Sequence, residues 1–153
     1  ALAYVSMQEL ATRISHRNTG KLMKDELGTA IMSRVGNDEN LHYLFYRDLT
    51  AAALEVDPSS TVMGIERAVR TFSMPGLGIP DFDRLSKEIA KAGIYDLQIH
   101  HDQILDPVIM RHWKLESVTG LSDEAEVARD SLFKRMARIA KVGKRMASGH
   151  ATV

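Results

Sequence analysis

Apolar side chains recur every three or four residues along most of the chain, the spacing that places them on one face of an α-helix. This spacing predicts six helices, at about residues 2–24, 27–56, 60–72, 82–91, 94–118 and 122–147. No stretch alternates apolar and polar residues as a half-buried strand does, and no internal repeat is present. The pattern therefore predicts an all-α chain in which residues 1–147 belong to a single domain and residues 148–153 form a frayed tail.

Glycine and proline indicate where this helical pattern is interrupted. Residues 73–80 contain two prolines and two glycines, so we expect the one real loop there. Pro107 predicts a kink or break in the fifth helix. Gly36 lies inside the second helix, where it either lets a neighbouring helix approach closely or is simply tolerated. The sequence starts at Ala1 in helical periodicity with no capping residue, so we expect it to begin inside a helix.

One stripe of the second helix contains an ionisable pair. Glu39 and His42 are three residues apart and project from the same helix face. Burying such a pair costs several kcal/mol unless it is paired or bound to a cation. The other residues of the stripe are mostly apolar, and we expect the whole stripe to be buried: Met32, Val35, Tyr46, Leu49 and Ala53. A Glu-x-x-His helix projecting into a bundle is how ferritin-like proteins hold two iron or manganese ions, together with single glutamates from other helices.

The first helix offers such a single glutamate. Glu9 lies on one stripe of that helix among apolar or small neighbours, which include Leu2, Val5, Thr12 and Thr19. The sequence therefore suggests a metal site of Glu9, Glu39 and His42. A second candidate cluster, at residues 100–102, reads His-His-Asp. Adjacent helical residues point about 100° apart, so we interpret this second cluster as a solvated helix face.

Composition restricts the class of protein. The 153 residues contain 20 basic and 20 acidic side chains, so no overall charge favours nucleic acid or a membrane surface. The absence of cysteine excludes disulfides and thiolate metal sites, so a metal would be held by His and carboxylates. No apolar run approaches the roughly 20 residues of a membrane span. We expect a cytoplasmic protein.

Several motifs together resemble the C-terminal half of the soluble acyl-acyl-carrier-protein desaturases of the stearoyl type. Residues 8–19 resemble the family's Q-E-x-A-T-x-x-S-H-x-N-T helix, and residues 38–42 resemble its second D-E-x-R-H box. Asp57-Pro58, then Ser73-Met74-Pro75, then Arg111-His112-Trp113-Lys114 follow in the same order. The resemblance covers nearly the whole chain.

The resemblance implies a ferritin-like bundle around two iron ions, with manganese as the alternative metal. By motif match, Glu9, Glu39 and His42 would be ligands, and Thr12 would line the oxygen side of the site. Asp38 matches an aspartate that orients a metal-bound histidine on the other half of the bundle. His16 matches a family histidine, and we interpret it as a hydrogen-bonding residue rather than a ligand.

The chemistry that the resemblance implies is oxygen-dependent desaturation of an acyl chain in fatty acid biosynthesis. The acyl chain would be carried on acyl carrier protein, and a ferredoxin-type donor would supply electrons. We also expect a homodimer, with no nucleic acid and no membrane span.

Two departures from the family pattern leave alternatives open. The chain contains only half of the family's ligand set, because no second Glu-x-x-His box with its own single glutamate is present. We therefore expect the chain alone to be inactive. Leu41 replaces the arginine of the box and Tyr43 replaces the glutamate that follows it, which puts carrier-protein docking in doubt. The alternatives are a non-catalytic helical binding module that has lost full metal chemistry, or two copies that pair their half-sites about a two-fold axis.

Overall fold

The computed structural model describes residues 1–73 and 78–150, with side chains described through residue 148. Within these ranges the chain forms six α-helices and no strand, so the all-α prediction is confirmed. The helices are α1 (Leu2–Leu22), α2 (Glu26–Val56), α3 (Pro58–Thr71), α4 (Phe82–Lys91), α5 (Leu97–His100) and α6 (Asp123–His150). A π-helical segment (His101–His112) continues α5, and a 3₁₀ turn (Leu115–Ser117) follows it. None of these helices combines the length and apolar character needed to cross a membrane.

Helices α1 and α2 form an antiparallel hairpin that holds the candidate metal ligands. Two glycines allow their backbones to approach closely. A Cβ placed on Gly36 would lie 3.1 Å from Cγ of Arg17, and one on Gly20 would lie 3.0 Å from Cβ of Met32. Of the two interpretations of Gly36, close approach is therefore correct.

Acidic side chains begin three of the helices. Asp25 accepts a hydrogen bond from the Gly28 amide in the first turn of α2, and Asp57 accepts one from the Ser60 amide in α3. Asp96 does the same for the Ile99 amide of α5, at 2.7 Å. These caps satisfy amide groups that have no partner within a helix, and they fix where each helix begins.

The buried core lies among α1, α3, the π-helical segment and α6. Helix α3 contributes Val62, Ile65 and Val69, which are spaced three and four residues apart. Met7 of α1 and Leu132 of α6 are fully buried against the same core. The π-helical segment contributes a continuous apolar face: Ile104, Leu105, Val108 and Ile109. Trp113 ends this face, and its indole Nε1 donates to the Arg47 carbonyl at 3.0 Å.

The predicted buried stripe of α2 is wrong. The buried residues of α2 include Gly36, Tyr43, Thr50 and Leu54, which follow a line one residue further along. His42 and Leu49 of the predicted stripe are exposed, and its other members are half-buried. The physical reason is the close contact at Gly36, which places that line against α1. The Glu39–His42 line lies at the edge of the hairpin, where it contacts α1 on one side and is partly open on the other.

The fifth predicted helix differs from the structure in its start, its pitch and its end. It begins at Leu97 rather than at residue 94, it ends at His112 rather than at residue 118, and Pro107 produces no break. Proline lacks an amide donor and clashes with the carbonyl four residues earlier. A π-helix pairs each amide with the carbonyl five residues back, as in the 2.8 Å bond from Trp113 N to Val108 O. The wider turn accommodates the proline without ending the helix.

The remaining boundaries lie close to their predictions. Helix α6 ends at His150 rather than at about 147, so the first residues of the predicted tail are helical. Residues 151–153 of that tail lie outside the described residues, as do residues 74–77 of the predicted loop.

Candidate metal centre

The α1–α2 hairpin brings the three predicted ligands together. Because the helices are antiparallel, Glu9 near the start of α1 faces His42 in the second half of α2, with 3.4 Å between Oε2 and Nδ1. One turn earlier on α2, Oε2 of Glu39 lies 3.8 Å from the same Nδ1. One ligand atom from each of the three residues lies within 4.8 Å of the other two.

The centre lies at the edge of the hairpin and is partly open. The side chains of Glu9 and Glu39 are each 20% exposed, whereas that of His42 is 61% exposed. Burial raises the pKa of Glu9, and the hydrogen bond and negative charge of Glu39 raise it further, while His42 acts in the opposite direction. The facing carboxyl groups of Glu9 and Glu39 are therefore unlike a pair that ionises freely, because each negative charge disfavours the other. A bound cation would favour the ionised form of both.

The donor set fits a divalent transition metal. Two carboxylate oxygens and one imidazole nitrogen suit Fe(II), Mn(II) or Zn(II), and three protein ligands leave coordination positions for others. Among the described residues, no lysine or arginine side chain forms an ion pair with Glu9 or Glu39. Within the described part of the chain, the ion-pair partners of Glu9 and Glu39 are therefore all histidines.

Two further predicted residues lie beside the centre. His16 lies one turn from Thr12 on α1, and its Nε2 is 3.6 Å from Oε1 of Glu39. The Thr12 hydroxyl donates within its own helix, to the carbonyl of Glu9 at 3.0 Å and to that of Gln8 at 3.2 Å. His16 is therefore in a position to orient a ligand carboxylate, while the Thr12 hydroxyl is held by the backbone beside Glu9.

Asp38 and Leu41 point away from the three ligands. Oδ1 of Asp38 lies 3.6 Å from Nε of Arg34, and the Asp38 side chain is 55% exposed. Leu41 is 65% exposed. Tyr43, in contrast, is buried beneath the guanidinium of Arg47, which lies 5.5 Å from its ring centroid. Both residues depart from the family box, but Leu41 lies on the surface whereas Tyr43 belongs to the core.

An apolar cavity that the sequence did not indicate lies beside the centre. It has a volume of about 320 Å³ and lies between α1 and the α4 region. His16 lines the cavity and also contacts Glu39, so one side chain separates the cavity from that candidate ligand. Its other lining residues include Ser15, Thr19, Phe82, Ile89 and Ile94.

The interpretation of residues 100–102 as a solvated face is wrong for His100. Its side chain is buried, its Nδ1 lies 2.7 Å from the Tyr95 hydroxyl, and its ring stacks on Phe72 with centroids 4.7 Å apart. Burial, with a smaller effect of the His101 charge, lowers the pKa of His100 to about 4. Only Asp102 of the three is exposed, and it pairs with His101. The apolar residues four and eight positions after His100 would have indicated its burial.

Comparison with known proteins places this geometry in a family. The sequence model of the fatty acid desaturase family matches residues 1–152. A Mycobacterium tuberculosis protein named as the acyl-[acyl-carrier-protein] desaturase DesA1 is 40% identical over 132 residues, which cover 86% of this chain and 39% of the relative. The chloroplastic stearoyl-[acyl-carrier-protein] 9-desaturase 1 of Arabidopsis thaliana is 35% identical, over 93% of this chain and 38% of the relative.

A chloroplastic acyl-[acyl-carrier-protein] desaturase of Cucumis sativus matches to a similar extent, at 35% identity over 93% of this chain. The chain spans about two fifths of the length of these curated relatives. Together with the helical architecture, the match over nearly every residue identifies an all-α, ferritin-like fold. The chain belongs to the fatty acid desaturase family.

Proposed function

We propose that the chain is part of an acyl-[acyl-carrier-protein] desaturase and contributes Glu9, Glu39 and His42 to an iron centre. The observation that carries this proposal is the convergence of these three ligand atoms within 4.8 Å, in a chain that the family model matches throughout. The relatives are named for action on acyl chains attached to acyl carrier protein. We extend that substrate class to this chain.

The reaction is the removal of two hydrogens from adjacent carbons of the acyl chain. A CH₂–CH₂ unit, dioxygen, two electrons and two protons give CH=CH and two water molecules. Iron, or manganese in its place, supplies oxygen activation when bound, and a ferredoxin-type protein is the proposed electron donor. The carboxylates of Glu9 and Glu39 and the imidazole of His42 hold the metal, and they must be deprotonated to do so.

Neighbouring residues have supporting roles in this proposal. His16 orients the Glu39 carboxylate across 3.6 Å. Thr12 lies at the oxygen side, where rotation of its hydroxyl away from the backbone would supply a hydrogen-bond donor. Asp38 contacts none of the three candidate ligands. Its proposed role is to orient a metal-bound histidine that belongs to the other half of the family's ligand set. Such outer partners fix the tautomer and basicity of metal-bound histidines.

The apolar cavity beside His16 is the proposed position of the acyl chain. Its walls are mostly apolar, and a linear hydrocarbon would bury its surface there without leaving a polar group unpaired. The cavity also reaches the metal centre through His16, which contacts Glu39. Acyl carrier protein is the proposed carrier of this chain. A cytoplasmic location and a homodimer remain predictions.

Iron content per chain tests the metal centre. The protein is purified with ferrous iron, and iron is counted by elemental analysis alongside the mass of the species by light scattering. We expect about one to two iron ions per chain, lost in Glu39→Ala. Iron bound only by a dimer would support half-sites paired about a two-fold axis. An iron-free wild-type chain would overturn metal binding by this chain itself and favour the non-catalytic binding module.

A further inference from the structure

A second polar site lies along α1, beginning one turn after Glu9. Arg13, Arg17 and Lys21 stand four residues apart, so their side chains follow one another along the helix. With Asn18 and Gln103 they line a groove of about 270 Å³, whose apolar wall is formed by Leu10 and Ile14. The metal ligands do not contribute to this groove.

The positive charge in the groove is not compensated by a carboxylate. Arg17 donates to Oδ1 of Asn37 at 3.0 Å, and Lys21 donates to Oδ1 of Asn18 at 3.2 Å, so both partners are neutral amides. Within residues 1–73 and 78–148, no acidic side chain pairs with Arg13, Arg17 or Lys21. Burial and the charge of Arg17 lower the pKa of Arg13, the direction expected for uncompensated like charges.

Arg13 also has a donor that the described structure leaves unused. Its Nε is shielded from solvent and has no hydrogen-bond partner among the described residues. A ligand in the groove reaches this shielded Nε only if the Arg13 side chain turns, and no hydrogen bond of Nε opposes that turn. The Nε of Arg135 is the comparable case on α6, but its groove contains the carboxylate of Asp130. Among the described residues, the groove lined by Arg13 is the one that has an unpaired guanidinium Nε and no carboxylate in its lining.

We propose that the groove of Arg13, Arg17 and Lys21 binds an oxyanion, specifically the phosphate group of a small ligand or of a phosphate-bearing arm. Guanidinium groups match phosphate because two parallel N–H donors reach two oxygens, and lysine adds a point charge. The volume is at the lower limit of small-molecule sites, so the groove accommodates one phosphate with a short stem rather than a whole nucleotide. The site goes beyond the proposed desaturase function and does not depend on bound metal.

Calorimetric titration with inorganic phosphate tests the site. The chain is freed of metal by chelation and dialysis, and ionic strength is held constant with potassium chloride. We expect saturable binding of one phosphate per chain. Arg13→Gln/Arg17→Gln should weaken it at least about tenfold, since two guanidinium groups that donate charge-assisted hydrogen bonds to phosphate are lost. Lys87→Gln, on the exposed surface of α4 and outside the groove, is the matched control and should change the affinity less than about twofold.

Arg13→Lys separates charge from hydrogen-bond geometry and guards against a folding defect. It keeps the charge but loses the Nε–H, so its affinity should fall between those of the wild type and the double variant. Circular dichroism confirms that each variant is helical. Equal affinity in the wild type and the double variant, or weakening by Lys87→Gln of the same size, would overturn the site.

Titration with phosphopantetheine then distinguishes the two sources of phosphate. Tighter binding than inorganic phosphate, lost in the same variants, would identify the phosphate of a carrier-bound arm. Equal or weaker binding would identify a free phosphate ligand. Neither titration measures iron or turnover, so failure of this site would leave the proposed desaturase function intact, and the reverse also holds.

Discussion

Two histidines of this chain lie in opposite environments. His42 is 61% exposed at the edge of the α1–α2 hairpin, and carboxylate oxygens of Glu9 and Glu39 lie within 3.8 Å of its Nδ1. His100 is 5% exposed and contacts the hydroxyl of Tyr95 and the ring of Phe72 instead. The first histidine is surrounded by negative charge and the second by aromatic rings.

The surroundings decide what each imidazole can do. Carboxylates stabilise a positive charge nearby, either a proton or a metal ion, so the hairpin edge suits ligation. An aromatic enclosure disfavours charge, which keeps His100 neutral and makes it a packing residue with one hydrogen bond. Residue type alone therefore does not identify a ligand; the charge of the surrounding groups does.

The largest effect that we predict comes from protonating His100. Its pKa is about 4 in the folded chain, against about 6.5 when exposed, so the unfolded state binds the extra proton first. The stability that His100 contributes is complete above pH 6.5 and falls as the pH is lowered toward 4. A shift of this size corresponds to about 3 kcal/mol. Urea unfolding measured between pH 4 and pH 7 should show this loss.

His100→Phe is the variant that isolates the effect. Phenylalanine can still stack on Phe72 but cannot be protonated, so the variant should lose most of the difference in stability between pH 7 and pH 4. Lys87→Gln, on the exposed surface of α4 and away from His100, should retain the wild-type slope. An unchanged slope in His100→Phe would mean that other groups cause the acid sensitivity.

The enclosed region should also be the more sensitive one to added volume. Helix α5, which carries His100, packs against Gly143 of α6, where a Cβ would lie 2.8 Å from the backbone nitrogen of Gln98. Gly143→Ala should lower the free energy of unfolding by about 1–3 kcal/mol, because a backbone neighbour must move. Gly64→Ala has open space around it and should stabilise α3 by up to about 1 kcal/mol. Chemical denaturation compares the two, and equal effects would contradict the close contact.

At the open centre, the predicted effects are on metal affinity rather than on stability. His16→Gln removes the imidazole that lies 3.6 Å from Glu39. We expect iron affinity to fall about tenfold, the lower end of the range for residues that orient a ligand, with little change in melting temperature. His101→Gln, which alters a histidine paired with Asp102 on another segment, should leave affinity unchanged. If the melting temperature falls but the affinity does not, His16 has a structural role only.

Helical periodicity predicted the elements well but did not predict which face of α2 is buried. Helix α2 has apolar residues on several sides, with Leu27 and Phe45 exposed and Leu54 buried. Which residues of α2 are buried depends on the contact that Gly36 makes with α1. That contact involves two helices, so the sequence of α2 alone does not reveal it. The π-helical pitch around Pro107 has the same origin, because hydrogen-bond register is not visible in the spacing of apolar residues.

The cluster of the three candidate ligands was predictable to the extent that it is local in sequence. The three-residue spacing placed Glu39 and His42 on one face. Glu9 was suggested by its place among apolar or small neighbours on the first helix, and the family motif supported it. The cavity beside His16 and the groove at Arg13 were not predicted, since each is formed by residues distant in sequence. Gln103, which completes the groove, is 90 positions from Arg13.

The smallest effect on stability is predicted for Leu41, on the side of α2 away from the ligands. Leu41→Arg restores the arginine of the family box at a position that is 65% exposed. It should therefore change the free energy of unfolding by no more than about 0.5 kcal/mol and leave iron content unchanged. Affinity for acidic acyl carrier protein should rise, and more so at low salt, because an exposed charge acts mainly through screened attraction. A loss of more than about 1 kcal/mol would show that Leu41 is covered in solution, because a charge is costly only where water is excluded.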